Sequence, residues 1–261
     1  MSEQTHLYAE NDHLSQNDGV KGIFSPVHAH AATDNNAKIY ERLYQAAADK
    51  WVKAGARSHA IALYAHEDLS LRLFFRYGFG MRCVDAIREI IHISTQPRST
   101  FTVSELNENQ FPAMHTMYTM LQQHLHSSPI FCGGSSASAP VLIEDFMEKN
   151  VRQQARYFAA YNKDIPIAYL KISPHGENFV SDAPEVMNIC GAYCLPEYRG
   201  TGVFEHILDA VQDVLFADGY IRLGVDFESY NPTAWGFWNK HFTPYTYSVV
   251  RQIDEAIVNV L

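Results

Sequence analysis

The sequence predicts an α+β protein in which one order of strands and helices occurs twice. Two observations indicate this class. Apolar residues repeat with strand and helix periods in alternation along the chain, and two segments with a similar order of elements lie in its two halves. The hydrophobic content of 47% and the charged content of 19% are typical of a soluble globular protein that buries a substantial core.

The first copy covers residues 22–88 and contains five predicted elements. A strand ends at Pro26, and the long helix that follows stops at Gly55. An apolar second strand covers 59–64, and a short aromatic helix and a final strand complete the copy.

The second copy covers residues 190–251 and repeats this order. Its elements are a strand at 186–194 that ends before Pro196, a helix at about 203–218, a stop at Gly219 and a second strand at 221–227. Aromatic residues of the two short helices align at one constant spacing, which pairs Phe74 with Phe237, Phe75 with Trp238 and Phe79 with Phe242. We interpret this alignment as a weak internal repeat.

The segment between the two copies adds elements to the second copy only. They are a strand at 101–103, helices at 107–126 and 141–153, and a hairpin of strands at 156–161 and 165–171. From residue 101 the predicted order is therefore β-α-α-β-β-β-α-β-α-β. We predict a polar, poorly ordered segment over 1–19, a partial and degenerate copy over 20–97 and a complete domain over 98–261, with the boundary near 95–100.

The turn after the strand at 186–194 carries the strongest functional signal, Arg199-Gly200-Thr201-Gly202-Val203. Two glycines between a strand and a helix let the backbone approach a bulky anion, and the first N–H groups of the helix attract negative charge. Arg199 adds a fixed cation. The sequence therefore predicts a pyrophosphate-binding loop, with an ordinary tight turn as the alternative.

Charge and composition exclude several classes of partner. The net charge of −9 argues against nucleic acid, because phosphate binding needs a basic face. We expect a cytoplasmic protein without a membrane partner, since no apolar run reaches the length of a membrane span and no signal-peptide pattern is present. The cysteines, which we interpret as reduced thiols, are Cys83, Cys132, Cys190 and Cys194. His28 and His30 lack further ligands at metal-binding spacing, so we predict no metal site.

The element order and the Arg-Gly-Thr-Gly turn resemble the GNAT N-acetyltransferase superfamily, and the stretch 224–232 followed by Phe237-Trp238 resembles the C-terminal part of its tandem members. The resemblance covers about 101–255 in full and 20–96 as a half copy. It implies a mixed, mostly antiparallel sheet, flanked by helices and splayed between the fourth and fifth strands of the complete copy. It also implies an acyltransferase that holds acetyl-CoA, as a co-substrate, in the wedge-shaped gap between these two strands. The acetyl group then passes to an amine of a small molecule or peptide by direct attack in a ternary complex.

The resemblance assigns contacts with acetyl-CoA to one strand residue, the glycine loop and the start of a later helix. These residues are Cys194, through its backbone, Arg199, Gly200, Thr201, Gly202, Val203 and Asn231. The family loop pattern departs at Phe204, whose large side chain either crowds the pyrophosphate or packs into the core. Helix geometry favours the core, because Phe204 opens an apolar stripe.

The resemblance leaves the catalytic groups open. Trp238 replaces the tyrosine that protonates the departing thiolate, and an indole N–H is too weak an acid for this step. Tyr230 is the nearest phenol and our candidate substitute, with a packing role as the alternative. Asp226 and Glu228 lie two residues apart on a strand, so they face the same side and are candidate bases for the amine. Their alternative is a solvated or capping pair of carboxylates.

The first copy has no arginine or glycine at the equivalent loop, 27–31, so we expect it to be structural. Its open sheet edge needs a cover, either the second domain or another subunit, which makes a homodimer a hypothesis.

Two functions from different classes follow. The leading one is an acetyl-CoA-dependent N-acetyltransferase. Its rival is a weak or inactive GNAT module that binds CoA or a metabolite as a sensor, which Trp238 and Phe204 favour.

Overall fold

A computed structural model describes residues 22–32, 36–91, 101–132, 141–176 and 182–258 of the chain. The N-terminal segment over 1–19 and the predicted domain boundary near 95–100 lie outside the described residues, so both stay predictions.

The described residues form nine strands and seven α-helices. The strands are β1 (Gly22–Ser25), β2 (Ser58–Tyr64), β3 (Gly80–Glu89), β4 (Thr102–Glu105), β5 (Arg156–Asn162), β6 (Ile165–Ser173), β7 (Val186–Cys194), β8 (Arg222–Glu228) and β9 (Thr243–Gln252). The helices are α1 (Ala37–Lys53), α2 (Asp68–Arg76), α3 (His115–His126), α4 (Ile143–Arg152), α5 (Val203–Ala217), α6 (Pro232–His241) and α7 (Glu255–Val258). The predicted α+β class, with a mostly antiparallel sheet flanked by helices, is confirmed, and so is the predicted order of elements from residue 101.

One predicted helix differs in its first half. The sequence predicts a continuous helix over 107–126, whereas the structure has a 3₁₀ segment at Glu108–Met114 before α3 begins at His115. Pro112 lies inside the 3₁₀ segment and lacks the backbone N–H that an α-helix needs. The apolar periodicity alone does not predict this break in the helix.

The chain forms two compact units. The first contains the described residues up to 86 and those from 227 to 258, and the second contains the described residues from 87 to 132 and from 141 to 226. The C-terminal part of the predicted complete copy, from residue 227, therefore packs with the N-terminal segment.

In the first unit the strand order is β1-β2-β9-β3. β1 runs parallel to β2, and β9 pairs with β2 in antiparallel register along the whole of Ser58–Tyr64. Both edges of β2 are therefore hydrogen-bonded. The edge of the first copy for which the sequence predicts a cover is covered by the last strand of the second copy.

Aromatic rings from α1 and α2 fill the core of the first unit. Tyr44 and Phe74 both contact Phe79 edge-on, at 5.2 Å between ring centroids. Phe75 is 43% exposed, whereas Trp238 is 5% exposed, so their burial does not support the predicted pairing of these two positions.

In the second unit the strand order is β8-β7-β6-β5-β4, antiparallel except for β7 and β8. α5 lies against β4, β5 and β6, and α3 contacts β7. Successive residues of β5, Tyr157 and Phe158, point to opposite faces and are both buried, so both faces of this sheet are covered.

A fully buried histidine makes the stability of the first unit depend on pH. His59 of β2 is 0% exposed, and its Nδ1 lies 3.1 Å from the Tyr44 hydroxyl. Burial, assisted by the nearby charge of Arg251, lowers the pKa of His59 to about 4. The unfolded chain, with an ordinary histidine pKa near 6.5, therefore binds this proton more readily than the folded protein does.

We predict that His59 makes the free energy of unfolding fall as the pH drops from about 6.5 towards 4, by about 2 kcal/mol between pH 7 and pH 5. Urea denaturation at both pH values checks this. A His59→Leu variant should lose about 2 kcal/mol less over that interval than the wild type. A His66→Gln variant, which changes an exposed histidine, should keep the wild-type dependence. The same pH dependence in the wild type and His59→Leu would contradict the prediction.

Candidate functional site

The pairing between β7 and β8 stops halfway along β7. Val186–Ile189 pairs in parallel with Arg222–Val225, and residues 190–194 have no register partner in the described residues of β8. The two strands part from this point on. The splay that the family resemblance implies between the fourth and fifth strands of the complete copy is therefore present.

The backbone of β7 beyond this point presents hydrogen-bonding groups at an open edge. The N–H of Leu195 donates to the carbonyl of Ile167 at 2.9 Å. Because backbone groups alternate in direction along an antiparallel ladder, Ala192 and Cys194 direct theirs away from β6. An extended ligand with amide groups can pair with this edge.

A β-bulge lies at the start of the open edge. Lys171 of β6 pairs with Gly191 and Ile172 pairs with Ile189, so Cys190 is an extra residue in β7. A bulge leaves one residue outside the ladder and turns its side chain and backbone groups to a new direction. Here it coincides with the point at which β7 leaves β8.

The glycine loop connects β7 to α5 as the sequence predicts. Gly200 and Gly202 have φ angles of +75° and +85°, and Gly202 is the N-cap of α5 without a side-chain capping bond. A Cβ atom added at either glycine would meet no atom within 4 Å. These glycines are therefore required by backbone conformation rather than by crowding, and open space lies where a side chain would begin at each of them.

Arg199 is held against the end of β7. Its Nε donates to the Cys194 carbonyl at 3.2 Å, and its guanidinium carbon lies 5.7 Å from the centre of the Tyr193 ring. The side chain is exposed. An anion at the loop would therefore meet the terminal nitrogens of a guanidinium whose stem is already positioned.

The apolar stripe of α5 faces the core. Its fully buried members are Val203, Ile207, Leu208, Val211 and Leu215. Phe204 is half-buried, so it is less enclosed than the rest of the stripe.

The turn between β8 and α6 is held by an arginine that sequence reasoning missed. Arg82 of β3 donates to the Tyr230 hydroxyl, lies 5.2 Å from the centre of the Tyr230 ring and is 3.6 Å from Glu228 Oε1. Backbone contacts add to this, because Ser229 donates from its N–H to the Arg82 carbonyl and from its hydroxyl to the Met81 carbonyl. No local signal could find Arg82, since it lies 148 residues before Tyr230.

Asn231 and Trp238 both have structural contacts in the first unit. The Asn231 Oδ1 accepts from the Ala234 N–H at 3.3 Å and from the Thr233 hydroxyl at 2.8 Å, which makes Asn231 the N-cap of α6. The Trp238 ring is buried and contacts Phe242 edge-on at 5.4 Å. Trp238 is therefore a core residue, and the predicted contact of Asn231 with acetyl-CoA stays a prediction.

The predicted site residues fall into the two units. Residues 194–203 and Asp226, which is half-buried, belong to the second unit. Glu228, Tyr230 and Asn231 belong to the first. Within the second unit the structure joins the open edge of β7 directly to the glycine loop.

Sequence reasoning also missed a buried lysine in the second unit. Lys171 of β6 is 7% exposed, and its Nζ donates to Gln153 Oε1 at 2.6 Å and lies 6.0 Å from the centre of the Tyr157 ring. Burial lowers the pKa of Lys171. The period of two along β6 places Lys171 on the same face as Ile167 and Tyr169. This alternation is the sequence pattern from which the burial of Lys171 could have been predicted.

The two cysteines of β7 are poor nucleophiles in this setting. Desolvation raises the pKa of the Cys190 and Cys194 thiols to about 11, so both are protonated near pH 7. Cys190 is exposed at the open edge, although protein atoms crowd its thiol on the other side.

Within the part of the chain that the structure describes, no cluster of three or more His, Cys, Asp or Glu side chains could hold a metal ion. None of the described helices is long and apolar enough to cross a membrane.

Comparison with known proteins gives a family and a fold. Residues 118–242 match the model of the acetyltransferase (GNAT) family. No curated protein sequence matches the chain. A conserved protein of unknown function from Staphylococcus epidermidis has a similar structure, with a TM-score of 0.52 and 9% identity over 97% of this chain and 96% of that one.

Two further solved structures are acetyltransferases. A GCN5-related N-acetyltransferase from Kribbella flavida is 8% identical over 82% of this chain and 76% of its own, with a TM-score of 0.49. An aminoglycoside acetyltransferase from an uncultured soil metagenomic sample is 14% identical over 54% of this chain and 86% of its own, with a TM-score of 0.42. The family match spans the open edge of β7, the glycine loop and α5. The segment 118–242, slightly less than half of the chain, is thus similar to the GNAT acetyltransferase family.

Proposed function

We propose that this protein is an acetyl-CoA-dependent N-acetyltransferase that acts on an amine of a small molecule or peptide. One observation carries the proposal: the open edge of β7 leads directly into a glycine loop at the N-terminus of α5, and a Cβ atom added at either glycine would meet open space. The amide-rich arm and the pyrophosphate of acetyl-CoA need these two features side by side.

The residues present fit acetyl-CoA. Its pantetheine amides would pair with the backbone of Ala192 and Cys194, and its pyrophosphate would lie at Gly200–Gly202 and the first turn of α5. Arg199 would contribute charge to the same anion. Phe204 is half-buried at the start of α5, so part of its ring packs against the protein and part stays accessible.

In the proposed reaction the neutral amine attacks the thioester carbonyl, the N–C bond forms and the C–S bond breaks. The amine proton passes to a carboxylate, for which Asp226 and Glu228 are the candidates, and the CoA thiolate takes a proton from Tyr230. Arg82 supports the choice of Tyr230, because its positive charge lies beside the hydroxyl and would stabilise the negative charge left after proton donation.

The second candidate function is a sensor that binds CoA or a metabolite without turnover. The observation that favours it is the burial of Trp238 in the core, which leaves the position of the family tyrosine without an acid. Release of CoA thiol in the presence of a panel of amines separates the two functions, once binding of acetyl-CoA is established.

Binding of acetyl-CoA is expected to depend on the charge at the glycine loop. We predict that Arg199→Ala weakens binding by tenfold or more, about 1.4 kcal/mol, in calorimetric titration. Arg222→Ala is the matched control, because Arg222 is an exposed arginine at the opposite end of the β7–β8 pairing. Equal affinities for the wild type and Arg199→Ala would remove the loop from the site.

Activity is expected to depend on the Tyr230 hydroxyl. Tyr230→Phe keeps the ring near Arg82 but removes the proton, so we predict a fall in kcat of about 10²-fold with unchanged affinity for acetyl-CoA. Tyr220→Phe serves as the control. Full activity of Tyr230→Phe would mean that solvent or another group protonates the thiolate.

Arg82 is expected to stabilise the turn that carries Glu228 and Tyr230. We predict that Arg82→Met lowers the free energy of unfolding by about 1–2 kcal/mol, since it removes a partly buried ion pair and a hydrogen bond. Urea denaturation measures the change, and Arg42→Met, at an exposed position of α1, should differ little from the wild type. An Arg82→Met variant as stable as the wild type would show that the turn holds without this contact.

A further inference from the structure

Three adjacent strands of the second unit place a cation, a thiol and a carboxylate near the point where β7 leaves β8. Lys171 of β6 pairs with Gly191, next to the bulged Cys190. Asp226 of β8 follows Val225, the last residue of β8 that pairs with β7. These side chains are therefore neighbours in the sheet although they are far apart in sequence.

The charged side chains of this group share one face of the sheet. Asn188 of β7 lies against Gly224, because a Cβ atom added to Gly224 would be 2.5 Å from Asn188 Oδ1. Alternation along β8 then puts Asp226 on the face of Asn188. Asn188 pairs with Ser173 of β6, and alternation along β6 puts Lys171 on this face too.

Lys171 is a buried cation without a carboxylate partner among the described residues. Its ammonium donates to the neutral Gln153 side-chain amide and lies 6.0 Å from the centre of the Tyr157 ring. A buried ammonium is costly unless it meets a counter-charge. Burial accordingly lowers the pKa of Lys171, and an anionic group brought to the ammonium would relieve that cost.

Asp226 supplies the opposite charge beside the same thiol. The thiol of Cys190 experiences both charges, because Lys171 lowers its pKa and Asp226 raises it. Cys190 is an exposed residue, so solvent reaches this part of β7. A ligand that reached it would meet a positive group on one side and a negative group on the other.

We propose that the acceptor is an amine that also carries a carboxylate, such as an α-amino acid, with its carboxylate on Lys171 and its amine at Asp226. This inference rests on the proposed acetyltransferase function and names the substrate class of that site. Where neighbouring strands pair they are about 4.8 Å apart, so β6 and β8 are separated by about 10 Å. An amino acid with a hydrogen bond at each end spans a similar length.

A purely structural role of Lys171 predicts different behaviour. Gln153 ends α4, and its carbonyl accepts from the Ser173 hydroxyl at 2.7 Å. If Lys171 only fastens this helix end to β6, its removal lowers stability and changes turnover of all amines alike. If Lys171 binds the carboxylate, its removal affects only acceptors that carry one.

The first test compares amino acids with the amines that remain when their carboxylates are removed. The pairs are leucine with 3-methylbutylamine and phenylalanine with 2-phenylethylamine.

We expect the wild type to acetylate the amino acid with a kcat/KM at least tenfold higher than that for the amine of the same pair. Lys171→Met should remove this preference by raising KM for the amino acid at least tenfold more than KM for the simple amine. Gln153→Met, which breaks the helix-end contact but keeps the charge, should retain the preference. An equal loss for both members of a pair, or no preference in the wild type, overturns the proposal.

The second test does not depend on turnover. Cys190 is alkylated with iodoacetate, which carries a carboxylate, or with neutral iodoacetamide, and the modified peptides are quantified by mass spectrometry. Lys171→Met should lower the ratio of the iodoacetate rate to the iodoacetamide rate at Cys190 but not at Cys132. Leucine should protect wild-type Cys190, and 3-methylbutylamine should not.

The two tests separate failure of this inference from failure of the proposed function. If no amine is acetylated but the ratio and the protection behave as expected, the acetyltransferase proposal fails and the zwitterion site stands as a binding site. The opposite outcome is that amines are acetylated, the ratio of the two alkylation rates at Cys190 is the same in the wild type and Lys171→Met, and leucine gives no protection. The proposed zwitterion site is then wrong and the acetyltransferase proposal stands.

Discussion

The hydrogen bonding between β7 and β8 ends after four residue pairs, and the open edge at which we propose that a ligand binds depends on this interruption. A continuous ladder would use the backbone groups of 190–194 for the sheet itself. Because β8 diverges, the backbone groups of Ala192 and Cys194, which point away from β6, are left open beside the glycine loop, and Asp226 is placed where the strands part. The bulge at Cys190 lies at the same level and adds a local change of direction to β7. A defect in the sheet thus creates the space in which a ligand can be held.

Local patterns in the sequence were enough to predict most elements and the glycine loop. The reason is that strand periods, helix periods and a pair of glycines each report on a few neighbouring residues. Pro112 was the exception within one helix, because its effect depends on the missing N–H rather than on the apolar period. The alignment of the two short helices also failed to predict that Phe75 is exposed and Trp238 is buried. A shift of one residue along a helix is enough to move a side chain from the core to solvent.

The residues that sequence reasoning missed owe their roles to contacts between distant segments. Lys171 reads as an ordinary lysine at a strand end, because lysines are usually exposed. Only the registers of β6, β7 and β8 show that it shares a face with Asn188 and Asp226. Arg82 belongs to the copy that lacks a glycine loop, yet it supports the turn that carries Tyr230. A half copy that looks degenerate by its own motifs therefore still holds the turn that carries a predicted site residue.

The pairing of β2 with β9 has a consequence for how this chain folds as it is synthesised. Ser58 and Gln252, at one end of that ladder, are 194 residues apart. When β2 leaves the ribosome, its apolar strand has β1 on one edge and nothing yet on the other. The sheet of the first unit cannot close until β9 (Thr243–Gln252) has been synthesised. Slow, non-local closure of this kind favours partly folded states with an exposed strand edge, so we expect chaperones that shield strands to matter for the folding of this unit.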